Sequence, residues 1–144
     1  MTARQTRESI VAYGHENIQA LHSSTLMFTK ERHLSKTGDC IVAVAADKAV
    51  ADLSREFKEK LKKSNAKLVI LLEADGLTQK INASGSPKLV LTNQTDTVVR
   101  KGDYISDRTL AIHADKSSND LPREFIEKLK NPEQKIKITL IVYA

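Results

Sequence analysis

The chain contains no tryptophan, one cysteine and few aromatic side chains; three of its 144 residues are Phe and three are Tyr. Cys40 has no partner for an internal disulfide, so we expect it to be a small buried apolar residue. The histidines form no HxxxH or HExxH pattern, which argues against a structural zinc site. So few aromatic rings also argue against a surface on which single-stranded nucleic acid stacks.

Long apolar runs are absent as well. Ile41–Ala46 and Leu68–Leu72 are far too short to span a bilayer, and residues 1–7 lack the apolar segment of a signal peptide. We therefore expect a cytoplasmic protein without membrane contact. No glycine-rich phosphate loop, GxSxG elbow or Walker sequence occurs. The sequence thus leaves open both whether the protein is an enzyme and which cofactor it would use.

The chain is basic, with 23 Lys and Arg against 18 Asp and Glu and a sequence pI of about 9.3. This charge is compatible with binding to nucleic acid or another polyanion, and equally with a surface that is merely rich in lysine. Lys58, Lys60, Lys62 and Lys63 form the densest group. They indicate either a phosphate-tracking patch or a solvated helix face, and interleaved glutamates favour the second.

The strongest positive signal is an internal repeat. Residues 39–72 align with residues 107–140 at a constant spacing of 68, and 17 of the 34 aligned positions are identical. Upstream, Glu8–Tyr13 before Gly14 corresponds loosely to Thr78–Ala83 before Gly85, after a shift of about three residues. We interpret residues 1–144 as one domain with two modules, 7–74 and 77–144.

Each module reads as strand, strand, strand, helix, strand, and the modules are joined at the turn Asp75-Gly76. Leu53, Phe57 and Leu61 recur every four residues, as an amphipathic helix requires. Asp52 and Asp120 fit as helix N-caps. The third strands are expected at Ile41–Ala46 and Thr109–Ala114, and the helices at Ser54–Lys63 and Pro122–Lys130.

The last strand differs between the modules. Residues 135–140 alternate between lysine or threonine and aliphatic side chains, whereas residues 67–72 replace the outward polar positions with Val69 and Leu71. This pattern predicts that the first copy is covered on both faces and that the second faces solvent.

The excess of strands predicts a β-rich α+β fold with two short helices and an approximate two-fold axis. A sandwich or a partly closed barrel is expected, because no helices separate the upstream strands.

The Ala-Asp-Lys segments that end the third strands are the leading site candidates. Asp47 and Asp115 would meet near a two-fold axis under one hypothesis, and paired carboxylates could bind a divalent ion or divide their pKa values. Lys48 and Lys116 would instead form an anion site. The alternative is structural: each Asp caps its own turn and each Lys is solvated.

Four further residues join this candidate set. Asp39 and Asp107 precede the third strands and could add carboxylate ligands, although loop aspartates commonly just form turns. Arg108 could pair with Asp107 or contribute a cation to an anion site. His15 follows Gly14 at a turn, where either a ligand contact or a solvated ring is compatible with the sequence.

Several strings together resemble a small archaeal family of uncharacterised proteins, known as a domain of unknown function. The resemblance covers the chain from about residue 8 to its end. It implies an archaeal, intracellular protein with a jelly-roll-like β fold, and it implies no activity, cofactor or catalytic residue. The strings are Ala12–Ile18, Thr37–Ile41, Ala46–Lys48 with Ala51–Leu53, and Ser106–Ile112 followed by Ala114–Lys116.

Three functional hypotheses remain. The first is a non-catalytic module that binds a small anionic ligand or nucleic acid through Lys48, Lys116 and Arg108. The second is a metal-assisted hydrolase or transferase that uses the duplicated aspartates. The third is a structural or homo-oligomeric protein whose interface contains Val69 and Leu71.

Overall fold

The computed structural model describes residues 5–144, which form two four-stranded sheets and two short helices. Residues 1–4, part of the stretch on which the signal-peptide prediction depends, lie outside this range. The 3₁₀ turns are Val50–Asp52 and Ser118–Asp120. The main elements are β1 Gln5–Tyr13, β2 Thr25–Thr29, β3 Ile41–Ala43, α1 Arg55–Leu61, β4 Lys67–Ala74, β5 Leu77–Ser84, β6 Asp96–Arg100, β7 Thr109–Ala111, α2 Arg123–Leu129 and β8 Lys135–Tyr143.

The first sheet has the strand order β1-β8-β4-β5 and is antiparallel throughout. The second has the order β3-β2-β6-β7, in which β2 and β6 are antiparallel while β3 and β7 run parallel to their neighbours. Isolated bridges at Tyr13–Val44 and Ser84–Ile112 join the edges of the two sheets. The β-rich fold with two helices is confirmed, and the strands do not close into a barrel.

The two parallel pairs also distinguish this arrangement from a jelly roll, which is antiparallel. The order of elements, three strands, a 3₁₀ turn, a helix and a strand, occurs once in each half of the chain, and both helices have seven residues.

The core lies between the sheets and beneath the helices. Phe28, Phe57 and Phe125 are at most 1% exposed, and alternate residues of β1, β4, β5 and β8 point inward to meet them. Phe57 and Leu61 of α1 are buried at the spacing that the sequence predicted. Within residues 5–144, neither helix has the length and apolar character needed to cross a bilayer.

The third strands are shorter than expected. β3 ends at Ala43 and β7 at Ala111, because Ala45 and His113 both adopt left-handed backbone angles with φ of 53°. This conformation breaks an extended strand. The residues Val44 and Ile112, predicted to continue the third strands, instead pair with the ends of β1 and β5.

The helix starts also differ from the prediction. Ser54 is the N-cap of α1, where its hydroxyl accepts a hydrogen bond from the Phe57 N–H at 3.1 Å, and Pro122 occupies the same position before α2. Asp52 and Asp120 do not cap these helices. Each closes the preceding 3₁₀ turn, in which its carboxylate accepts the backbone N–H three residues earlier, at 2.9 and 2.8 Å.

The predicted contrast between the last strands is wrong. β4 and β8 are neighbours in the middle of one sheet and share the same outer face. Thr139 and Ile141 of β8 are only 8% and 5% exposed, while Val69 and Leu71 of β4 are half-buried. The long side chains around this face shield its centre, which the sequence of a single strand does not reveal.

The predicted turn at Asp75-Gly76 is confirmed. It joins β4 to β5 in a two-residue hairpin, and both residues have positive φ, 49° and 78°. Two successive positive φ values characterise the type I′ turn, which Asp-Gly favours.

Two glycines join the halves at the helix ends. The N–H of His15 donates to the carbonyl of Leu129 at the end of α2, and the N–H of Ser86 donates to Leu61 at the end of α1. A Cβ on Gly14 would clash with the Leu129 and Asn131 carbonyls, and one on Gly85 would clash with Leu61. Each half therefore caps the helix of the other half, at positions where only glycine fits.

We expect Gly14→Ala and Gly85→Ala each to lower the free energy of unfolding by about 2 kcal/mol or more, because the methyl group would have to push backbone carbonyls aside. Urea denaturation measures the change. Gly102→Ala is the matched control, since its Cβ would enter open space. Equal destabilisation by all three substitutions would contradict the role of Gly14 and Gly85 in capping the helices.

Candidate functional site

A cavity of about 400 Å³ lies where the end of β1 meets the segments that follow β2 and β3. This is within the volume range of small-ligand pockets. We call it the β1-end pocket. Its lining consists of Tyr13, Gly14, His15, Arg32, Val44, Ala45 and Pro132.

Backbone contacts fix the shape of this pocket. Tyr13 and Val44 exchange hydrogen bonds of 2.8 Å in both directions, which holds the end of β1 against the segment after β3. The N–H of Ala45 donates to the Glu31 carbonyl at 2.8 Å, and this bond brings the neighbouring Arg32 to the rim. The Gly14 turn, packed on the end of α2, forms another side.

The polar groups of the pocket suit an anion. The ring Nδ1 of His15 accepts the Asn17 N–H at 3.0 Å, so a neutral ring carries its proton on Nε2 and can donate from that atom. Arg32 adds an exposed guanidinium, and Tyr13, which is 39% exposed, adds a hydroxyl. The lining contains no carboxylate, and Val44, Ala45 and Pro132 supply apolar surface.

The second half repeats the backbone frame of the pocket. Ser84 pairs with Ile112 as Tyr13 pairs with Val44. The N–H of His113 donates to Gly102, in the place where Ala45 donates to Glu31.

The side chains on this second frame are different. Asp103 follows Gly102 where Arg32 follows Glu31, and Ser86 takes the place of His15. The combination of an arginine with the histidine and tyrosine donors therefore belongs to the first half. The left-handed backbone at Ala45 has its counterpart at His113, so it belongs to the fold and not to the pocket.

The structure does not bring Asp47 and Asp115 together. The Asp47 carboxylate accepts the Val11 N–H of β1 at 3.0 Å, and Asp115 accepts the Asn82 N–H of β5 at 2.9 Å. Since β1 and β5 are opposite edges of the first sheet, three strand spacings, or roughly 14 Å, separate the two strands, and Val11 is also level with Thr78 and not with Asn82. Asp47 and Asp115 therefore do not form a paired-carboxylate site.

Asp115 is held more extensively than Asp47. Its second carboxylate oxygen accepts the side-chain amide of Asn82 at 2.9 Å. Partial burial raises the pKa of Asp115, but the bonds from Asn82 outweigh it and the pKa lies below the ordinary value. The carboxylate is therefore ionised at neutral pH and ties the turn after β7 to the sheet edge.

The candidate cations are dispersed, and two of them are paired. Lys48 forms an ion pair with Glu8 at 3.0 Å, and Arg108 pairs with Asp96 at 3.2 Å, where the sequence suggested Asp107. Lys116 is half-buried, and no carboxylate of the described residues pairs with it. These three cations do not form a common site.

Asp39 and Asp107 bind the chain mainly through their backbone carbonyls. Each carbonyl accepts two successive N–H groups, from Leu21 and His22 in the first half and from Thr92 and Asn93 in the second. The Asp107 carboxylate also accepts the Asn93 amide at 3.3 Å. Both aspartates thus fix the loops before β2 and β6.

The remaining sequence candidates are explained by local contacts. Lys58 donates to the Ala51 carbonyl and Lys60 to the Thr6 hydroxyl, so half of the lysine group on α1 is engaged within the fold. Cys40 is half-buried and not fully buried as expected, and its partial burial raises the pKa of the thiol. Among residues 5–144, no group of three or more His, Cys, Asp or Glu side chains is positioned to hold a metal ion.

Sequence reasoning identified His15 but missed Arg32 and Tyr13. Tyr13 lies in the string Ala12–Ile18 that carries the family resemblance, which was an available signal. Arg32 lies upstream of the 39–72 repeat, where the sequences of the two halves differ, and it is the fold, including the hydrogen bond from Ala45 to Glu31, that places it at the pocket.

The chain matches the family described as Domain of unknown function (DUF371) over residues 10–143. It is also 44% identical, over 127 residues, to an uncharacterized protein of the archaeon Methanocaldococcus jannaschii. That match covers 88% of this chain and 93% of the archaeal protein.

The acid dependence of stability provides a test of the 3₁₀-turn contacts. Lys101, at 2.7 Å, and the Ser117 N–H lower the pKa of Asp120 to about 2. A depressed folded-state pKa stabilises the fold above the unfolded value of 3.8, and this contribution is lost as the pH falls toward 2.

We therefore expect Asp120→Asn to be less stable than the wild type at neutral pH and to lose less additional stability between pH 4 and pH 2. Urea denaturation across that range measures both effects. Asp103→Asn, which removes an exposed carboxylate, serves as the control. An unchanged acid slope in Asp120→Asn would show that the turn contact does not contribute.

Proposed function

We propose that this chain, which belongs to the DUF371 family of domains of unknown function, is a binding module for a small organic anion held in the β1-end pocket. The observation that carries the proposal is the pocket lining, in which Arg32, the Nε2–H of His15 and the Tyr13 hydroxyl combine with apolar walls. An anionic group, carboxylate or phosphate, would sit on the polar side, and the rest of the ligand would contact Val44 and Pro132.

The first hypothesis from the sequence is retained, but its residues change. Lys48 and Arg108 already neutralise carboxylates, so recruiting either one would require breaking an ion pair. Arg32 has no carboxylate within ion-pair distance in the part of the chain that the structure describes. An uncompensated guanidinium beside a concave apolar surface is the more suitable anion receptor.

We further propose that residues 7–74 and 77–144 descend from one duplicated module. Three features support this origin. The order of elements is repeated, each half caps the helix of the other half beside a glycine, and Asp47 and Asp115 accept equivalent backbone hydrogen bonds. Under this proposal, the first copy acquired the cationic pocket and the second retained the frame with different side chains.

A thermal-shift screen at low ionic strength tests the binding proposal, using inorganic phosphate, simple carboxylates and nucleoside monophosphates. At least one anion should raise Tm, because a ligand that binds only the folded state stabilises it. Arg32→Gln should weaken binding of that anion by roughly ten- to a hundredfold, the loss expected for a charge-assisted hydrogen bond.

Two further variants make the test specific. His15→Asn keeps an acceptor for the Asn17 N–H and removes the Nε2 donor, so it should weaken binding without unfolding the turn. Arg55→Gln removes a guanidinium that is 92% exposed on α1 and should leave binding unchanged. Equal losses in Arg32→Gln and Arg55→Gln, or a Tm that no anion raises, would overturn the proposal.

A further inference from the structure

The outer face of the first sheet contains most of the chain's excess positive charge. Inward residues such as Ile10, Leu68, Ile70 and Leu140 are at most 1% exposed, so the alternate positions of the four strands point outward. On this surface, the outer sheet face, the charged side chains are Arg7, Lys67, Lys80, Lys135, Lys137 and Glu73.

The charge imbalance is confined to this face. Five basic side chains against one acidic side chain give it a formal net charge of +4, out of +5 for the whole chain. The rest of the chain then has 18 basic and 17 acidic residues and is nearly neutral. Among residues 5–144, none of the five cations forms an ion pair. Self-repulsion on this scale favours a polyanionic partner.

The strand register spreads the cations over the face. Lys137 lies opposite Glu73, Lys80 opposite Leu71, and Arg7 opposite Ile141. Val69, Leu71 and Ile141 make a small aliphatic centre among these charges. An extended anionic chain crossing the face would therefore contact successive cations without having to enter a cleft.

The low aromatic content argued against a stacking surface, but the placement of the few aromatic residues in the fold favours one and selects the type of polyanion. Two of the chain's three tyrosines, Tyr13 and Tyr143, occupy outward positions of this face. Tyr13 lies opposite Lys135 and Tyr143 opposite Gln5, so eight residues, or about 27 Å of antiparallel strand, separate the two rings. A row of cations with an aromatic ring at each end suits single-stranded nucleic acid, because its bases can stack on the rings while its phosphates contact the cations.

We propose that the outer sheet face binds single-stranded nucleic acid through the phosphate backbone, with Tyr13 and Tyr143 as stacking positions. This proposal shares Tyr13 with the β1-end pocket, but its cations and Tyr143 lie outside the pocket lining, and Arg32 and His15 take no part in it. An acidic protein would satisfy the cations equally well but would not require the tyrosines. Duplex DNA presents no unstacked bases to them.

Fluorescence anisotropy with a labelled oligothymidylate of about ten nucleotides tests the proposal in a salt series. Binding should appear at low salt, and log K should fall with log salt at a slope of up to about −3.5, or roughly −0.7 for each of five phosphate contacts. Lys80→Gln combined with Lys137→Gln should reduce the magnitude of this slope by about 1.4.

The matched control is Lys62→Gln combined with Lys63→Gln, which removes the same charge from exposed positions at the end of α1. Its slope should equal that of the wild type. Tyr143→Leu should weaken binding of the oligonucleotide without changing the slope, because stacking releases no counterions. Circular-dichroism melting confirms that each variant folds.

Four outcomes would overturn the proposal. They are no binding at low salt, equal slope changes in the two lysine pairs, equal affinity for a duplex of the same length, and displacement by polyglutamate as efficient as by unlabelled oligonucleotide. The last result would assign the face to an acidic protein. Loss of anion binding in the β1-end pocket, with oligonucleotide binding retained, would leave this proposal standing.

Discussion

The capping of each helix by the opposite half is the constraint on which the rest of the structure depends. Gly14 and Gly85 let the chain approach the last carbonyls of α2 and α1 closely enough for backbone hydrogen bonds. These contacts set the direction in which β1 and β5 leave the sheet. They also place the segments after those strands, and with them the β1-end pocket.

Both sheets also combine strands from the two halves. β1 pairs only with β8, and β4 pairs with β5 and β8, so neither half forms the first sheet by itself. The 3₁₀ turns cross as well, since Ala51 donates to Asn93 and Asn119 donates to His22. Each half therefore completes its hydrogen bonding only in the presence of the other, which explains how units of this size satisfy their backbone.

The sequence predicted the features that depend on local chemistry. The amphipathic spacing of Phe57 and Leu61 located α1, and the Asp75-Gly76 pair located the hairpin. It did not predict that β3 would end at Ala43, because the left-handed backbone at Ala45 that ends the strand accompanies a bridge from Val44 to β1, more than 25 residues away in the chain. Nor could it rank β4 and β8 by exposure, because both strands are covered by side chains from their neighbours in the sheet.

Residues that the two repeats share turned out to be poor indicators of the candidate site. Residues shared by the two halves, such as Asp47 with Asp115 and Asp52 with Asp120, hold equivalent turns and are occupied with backbone contacts. The pocket arises where the halves differ, since Arg32 has Asp103 as its counterpart. In a chain with an internal sequence repeat, identity between the repeats reports the requirements of folding. Divergence is the better indicator of a site that only one copy needs.

The positive charge of the outer sheet face is another feature that the sequence does not reveal and the fold does. The lysines of α1, which drew attention in the sequence, are partly engaged with Ala51 and Thr6 and lie among glutamates. The cations of the face come from four strands that extend from β1 near the start of the chain to β8 at its end, so no single window of sequence shows their accumulation. Only the antiparallel pairing of these strands brings the five cations onto one face, where Glu73 is the single acidic side chain. A net charge of +5 that looked evenly mixed along the chain is therefore concentrated on one side of the folded protein.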